Sequence, residues 1–188
     1  MIKDLEKLPW RRGRVALVGN ASSLRDTDYG AAIDSADCVV RINQGAFVPL
    51  DAKSTGQRTD AVLITLNGNA MEKAWMYAKC RRVAQTVVAM SPKKRTVLGR
   101  DLGTFISVYP QEWHQKLHTT LGARPSTGAM AIDLLARTVE TADNIYVYGF
   151  DFWGSPTTYT GIAQAAPHDP VAEENYVLRV VGLDRVHR

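Results

Sequence analysis

Residues Arg14–Gly19 read Arg-Val-Ala-Leu-Val-Gly and run on into Asn20-Ala21-Ser22-Ser23-Leu24. A short apolar run that stops at Gly-Asn predicts a strand buried on both faces and ending in a functional loop. Similar runs recur at Ala36–Arg41, Asp60–Thr65, Thr86–Met90 and Asn144–Tyr148, and helix-like stretches lie among them at Ala70–Arg81, Gln111–Thr120 and Ser126–Glu140. This alternation predicts an α/β, Rossmann-like fold: a largely parallel, twisted sheet flanked by helices, with ligands at the carboxyl ends of the strands. A last helix is signalled by Asp169 as cap and Pro170 at the first position, with Tyr176, Val177, Val180, Val181 and Asp184 at helical spacing. His168 then stands just ahead of its N-terminus.

The chain has 188 residues, 45% of them hydrophobic, with no repeat, low-complexity linker or charge block to divide it. That predicts one domain, residues 1–188, able to bury a core without staples. The net charge of +4 is compatible with nucleic acid, anionic membrane surfaces or acidic small substrates and does not choose among them. Cys38 and Cys80 lack the spacing of a zinc site or a disulfide framework, so a reducing compartment is expected. The opening MIKDLEKLPWRRGR has no apolar run like that of a signal peptide. No stretch approaches the roughly 20 apolar residues of a membrane span. A soluble, cytoplasmic protein is the expectation.

Four short motifs offer chemistry. The loop after the first run sets Gly19, which has no side chain, beside the amide of Asn20 and the hydroxyls of Ser22 and Ser23, so that backbone and small groups can approach a phosphate or ribose. It holds one glycine where the dinucleotide fingerprint G-x-G-x-x-G needs three. Arg124-Pro125-Ser126-Thr127-Gly128 opens an apolar helix with Ser126 or Thr127 as cap, and its free N–H groups and dipole suit an anion. Tyr148-Gly149-Phe150-Asp151-Phe152-Trp153 leads into a loop with an aspartate and aromatics, followed by Thr157-Thr158-Tyr159; a Trp N–H or Tyr hydroxyl there can donate to a leaving phosphate. His168, with Glu173 five residues on, precedes a helix whose dipole favours the neutral, basic imidazole. Singly, each motif also fits a plainer role: a turn, an ordinary N-cap, aromatic packing, a structural histidine.

Taken in order, the four resemble the sialyltransferases of glycosyltransferase family 29. VALVGNASSLRDTDYGAAIDSADCVVRINQG resembles the large sialylmotif, RPSTGAMAIDLLARTVETADNIYVYGFDFW the small one, and HDPVAEE the very small one. GFDFWGSPTTY also resembles the bacterial sialyltransferases of family 42, with Trp153 and Tyr159 at the places of an aromatic and a tyrosine. The resemblance implies a variant of the GT-A fold and an inverting transfer of an acidic sugar from a CMP donor to a glycan or glycolipid hydroxyl. It implies that Gly19, Asn20, Ser22, Asn43, Asp151 and Trp153 contact the donor, and that Ser126, Thr127 and Gly128 hold CMP from the helix start. Tyr159 would donate to the departing phosphate and His168 would take the acceptor proton, while Glu173 orients the site or its helix more than it reacts.

Cofactor and metal are expected to be absent, because hydroxyls and N–H groups can neutralise a single leaving phosphate. Asp26-Thr27-Asp28 has the form of a metal-binding D-x-D but reads as solvated carboxylates near a helix start. Val15 and Val139 stand where animal members of the family carry a cysteine pair, a departure that agrees with a reduced compartment. The histidine that often precedes the very small motif is also missing. The expected sugar is sialic acid, with Kdo as the alternative. The competing readings are a catalytically weak nucleotide-binding relative and another Rossmann-like nucleotide enzyme. Acceptor handling is expected within Asn67–Leu121, where Trp75 and Trp113 could stack on sugar rings or simply pack. No nucleic-acid partner is expected; the basic balance suits peripheral association with the inner face of a membrane.

Overall fold

The computed structural model describes residues 7–91, 106–161 and 167–188. Its strands are β1 (Val15–Val18), β2 (Cys38–Ile42), β3 (Ala61–Ile64), β4 (Thr86–Ala89), β5 (Ser107–Val108), β6 (Ile145–Tyr148) and β7 (Val186–His187). They form a seven-stranded sheet in the order β5-β4-β3-β2-β1-β6-β7. Every pairing among them is parallel. The helices are α1 (Gly30–Asp34), α2 (Ala70–Val83), α3 (Gln111–Leu121), α4 (Thr127–Thr138) and α5 (Pro170–Val181). All residues of β1 and β2 are buried, as expected of central strands covered by helices on both faces.

The expected strands and helices occur within two residues of their expected ends, save that the last helix stops at Val181, ahead of Asp184, where Gly182 takes a positive φ of 92° and a 3₁₀ turn follows. The elements not anticipated are α1, β5 and β7. The two strands are two residues long, and α1 is five, too short for any hydrophobic periodicity to form. The chain steps outward from β1 to β5 on one side, then returns to β6 and β7 on the other. Direction therefore reverses between β1 and β6, and the loops leaving those strands part at their carboxyl ends to open a crevice.

Packing brings several anchors to that edge. Arg41 on β2 is buried; its Nε donates to Arg58 O and Thr59 Oγ1 (both 3.0 Å), and its terminal nitrogen donates to Thr55 O (2.9 Å). Burial lowers its pKa to about 10, and the surrounding carbonyls hold the segment that delivers Asn43. Val15 and Val139 lie in one apolar cluster, so the two valines serve as core contacts. Cys38 and Cys80 are free, buried thiols in separate clusters, pushed up by burial to about 12 and about 11.

Helix α4 carries a buried carboxylate, Asp133, that accepts from Tyr109 Oη (2.5 Å), Tyr176 Oη (3.0 Å) and Arg137 Nε (2.8 Å). These bonds tie α4 to α5 and to the residue that follows β5. Burial, with the neighbouring carboxylate, raises both phenols far above their usual range, so both remain donors. Asp133→Ala strands those donors and is expected to cost about 3 kcal/mol. Urea unfolding measures it; an unchanged midpoint would contradict the role given to this network.

Candidate active site

The crevice at the reversal holds a cavity of about 400 Å³. Its walls are the loop after β1 (Gly19–Ala21), the end of β2 (Ile42 and Asn43), the start of α4 (Ser126–Gly128) and the loop after β6 from Gly149 to Trp153. Phe150 joins three of these. A Cβ on Gly19 would lie 2.6 Å from one edge of its ring and a Cβ on Gly128 2.8 Å from another, so both positions require glycine for the ring to fit. The sequence places Phe150 in an aromatic loop but does not show this role, because only the folded chain brings the two glycines to one ring.

Gly19, Asn20, Asn43, Ser126, Thr127, Gly128, Asp151, Trp153, Tyr159, His168 and Glu173 all line the cavity. Ser22 lies outside this lining. It begins a 3₁₀ turn, and its N–H donates to Pro156 O (2.9 Å). Ser22 thereby pins the long loop after β6 against the loop after β1, helped by Thr158 N–H donating to Asn20 O (2.8 Å) and Ser23 Oγ donating to Asp151 Oδ2 (3.2 Å). Asp26 and Asp28 lie outside the lining, and Asp28 pairs with Lys53 (3.1 Å), in keeping with solvated carboxylates.

The lining is held in conformations that cost energy. Among the described residues the non-glycine positions with left-handed φ are Asn43 (48°), Phe152 (53°) and Trp153 (67°), and all three border this cavity. Asn20 Nδ2 donates to Ile42 O (3.2 Å), while its Oδ1 is buried with no partner among the described residues. That oxygen sits 1.8 Å from where a Gly45 Cβ would be, so glycine at 45 makes room for it. Asn43 Oδ1 accepts from Thr65 N–H (3.0 Å), and the Asn43 side chain also hydrogen-bonds the Tyr159 hydroxyl. Burial raises Tyr159 above the usual phenol range, which keeps it protonated and able to donate.

Two hydrogen bonds lock the start of α5 to the start of α4. Ser126 caps α4 by accepting from Ala129 N–H (3.1 Å), and in turn donates from N–H (2.7 Å) and Oγ (2.5 Å) to the carboxylate of Glu173. His168 Nδ1 lies 2.7 Å from Arg124 O; a carbonyl can only accept, so Nδ1 carries a proton, and in the neutral ring the lone pair falls to Nε2. The imidazole stacks on Trp153 at 5.6 Å and 16°. Trp153 is thus a wall for the histidine. Asp169 caps α5 by accepting from Ala172 N–H (3.0 Å), with Pro170 at the helix start, as the sequence predicts.

Glu173 is buried, and loss of hydration raises its pKa from the ordinary 4.5 to about 7 despite the bonds from Ser126. The folded protein holds this proton more tightly than the unfolded chain. Stability from this group is therefore greatest below pH 4.5 and declines as pH rises through about 7. In Glu173→Gln the decline, about 3 kcal/mol, should vanish. Urea midpoints taken from pH 5 to 8 test it, and parallel curves for the two proteins would contradict the assignment.

The all-parallel sheet, its crevice at the reversal and a capped helix start aimed into that crevice define a Rossmann-like α/β protein with a nucleotide-type cleft. The model of glycosyltransferase family 29 (sialyltransferase) matches residues 3–98, about half of the sequence, and the chain belongs to that family. It is 23% identical over 201 residues to CMP-N-acetylneuraminate-beta-galactosamide-alpha-2,3-sialyltransferase 1 of Mus musculus, covering 92% of this chain and 58% of that one. The Homo sapiens protein of the same name is 22% identical over 210 residues, covering 97% and 60%. The chain thus spans about three fifths of the length of these relatives.

Among solved structures, a mammalian sialyltransferase superposes with a TM-score of 0.56 at 19% identity, covering 93% of this chain and 67% of that one. The sialyltransferase CstII of Campylobacter jejuni, in complex with the substrate analogue CMP-3FNeuAc, gives 0.57 at 14% identity, covering 93% and 78%. At these identities the likeness is one of fold.

Proposed function

We propose that the chain transfers sialic acid from a CMP donor to a hydroxyl of a glycan, with His168 as general base. The observation that carries this is the imbalance within His168: Nδ1 is committed to Arg124 O, leaving Nε2 as a base beside a cavity bounded by a capped helix start. The named donor of the mouse relative, and the CMP analogue bound to the Campylobacter enzyme, support the donor class.

In this reading the CMP phosphate meets the N–H groups at the start of α4, where the helix dipole favours an anion. The acceptor oxygen attacks the anomeric carbon from the face opposite the phosphate and gives its proton to Nε2. The bond between anomeric carbon and phosphate oxygen breaks, and its electron pair stays on the phosphate, which accepts a hydrogen bond from Tyr159. The configuration at carbon inverts. The imidazolium that forms faces the π surface of Trp153, which stabilises a cation. Glu173 acts through Ser126 as a positioning residue.

The test offers CMP-sialic acid, and separately CMP-Kdo, with a glycan acceptor, and follows CMP release and product. His168→Ala should lower kcat by about 10²- to 10⁴-fold. CMP affinity, read by calorimetry, should stay near that of the parent. Full activity in the variant, or no CMP binding by the parent protein, would overturn the proposal; preference for CMP-Kdo would replace sialic acid as the transferred sugar.

A further inference from the structure

A second cavity, about 620 Å³, opens over the carboxyl ends of β3 and β4, between α2 and α3. That is within the size range of small-ligand sites. It shares Asn43, Thr127, Tyr159 and His168 with the first cavity. The histidine read as the base therefore stands on the partition between two compartments along one edge of the sheet.

The two tryptophans singled out in the sequence separate clearly here. Trp113 packs against the core, with the Arg137 guanidinium 5.2 Å from its ring centroid and Tyr109 meeting it edge-on at 6.0 Å. Trp75 lines the second cavity and is 62% exposed. Lys79, one turn further along α2, sits 5.6 Å from the Trp75 ring and 4.2 Å from that of Phe47, so its ammonium braces the indole against the body of the protein. The result is a large aromatic face, held in place and left open, on the wall of a cavity that reaches the base.

An open aromatic face beside hydrogen-bonding groups suits a pyranose ring, which has C–H groups on one face and hydroxyls around its rim. Asn67, Gln44 and Ser91 on the same lining offer partners to hydroxyls. Glu72 adds a carboxylate. It is fixed by the capping box of α2, where Asn69 N–H donates to Glu72 Oε2 (2.6 Å) and Glu72 N–H donates to Asn69 Oδ1 (3.0 Å). Arg124 on the same lining sets a cation against this carboxylate, so the wall carries charges of both signs. Part of the region expected to handle the acceptor, residues 92–105, lies outside the described residues; the cavity lining lies wholly within them.

We infer that Trp75 is the stacking platform of the second cavity, that it takes a sugar ring of the acceptor, and that it sets acceptor affinity. The inference rests on reading His168 as the base, since the shared partition is what brings an acceptor hydroxyl to Nε2.

Lactose, which is neutral and carries no aromatic group of its own, is titrated calorimetrically into the protein with and without saturating CMP, alongside Trp75→Ala and Trp75→Phe. Trp75→Ala should weaken lactose binding about tenfold, the scale of one lost aromatic face. Trp75→Phe should restore most of the affinity, and CMP affinity should be the same in all three proteins. In transfer assays the loss should appear in the lactose KM with kcat retained. Because the side chain is exposed, neither variant should shift the melting temperature. Equal lactose affinity in Trp75→Ala, or no lactose binding at all, would overturn the inference. Failure of the parent protein to bind CMP would instead overturn the donor reading, and lactose titration without CMP would still decide the role of Trp75.

Discussion

The pairing of Ser126 with Glu173, seconded by the bond from His168 to the Arg124 carbonyl, is the constraint on which the site depends. The bonds to Glu173 run from the N-cap of α4 to the first turn of α5, and the His168 bond joins the segments just ahead of the two helices. The start of α4 and the imidazole of His168 are joined by bonds that span 47 and 44 residues of sequence. Without the cross-link, small motions of either helix would change the distance between His168 and the start of α4, the groups that the proposed transfer sets on the acceptor and on the leaving phosphate. Errors of this kind are costly in a reaction that needs both groups in register.

The constraint is expensive locally and is supported from below. Glu173 gives up its hydration to hold Ser126, as the rise in its pKa records. Asn43, Phe152 and Trp153 adopt left-handed backbone that side-chain-bearing residues avoid. The returns come from the sheet edge and the core: Asp133 ties α4 to α5 from the buried side, Arg41 anchors the segment leading to Asn43, and Phe150 fills the space left by two glycines. Strain therefore gathers at the rim of the cavity, and ordinary close packing lies behind it.

Much of the fold was legible in the sequence because parallel strands buried on both faces read as unbroken apolar runs. Val15–Val18 and Ala61–Ile64 could be taken for little else. Capping chemistry is also local, so the starts of α4 and α5 were visible in Ser126, Asp169 and Pro170. What escaped was non-local. No local pattern marks β5 or β7, which exist because a neighbouring strand offers two residues of pairing. Ser22 looked like a ligand contact for its hydroxyl, yet its backbone serves as an anchor for a loop more than 130 positions away. Trp153 gave no sign that its face would be taken by His168, and Trp75 and Trp113 were indistinguishable until burial separated them.

The most direct check is the tautomer of His168, read by long-range ¹H–¹⁵N correlation NMR at a pH where the ring is neutral. Its resonance would be assigned by its loss in His168→Ala. The structure predicts a proton on Nδ1 and a bare Nε2 in the neutral ring, the arrangement that the proposed general base requires. A proton on Nε2 with a bare Nδ1 would mean that the bond to the Arg124 carbonyl is not made, and would contradict the coupling between the two helix starts on which this account rests.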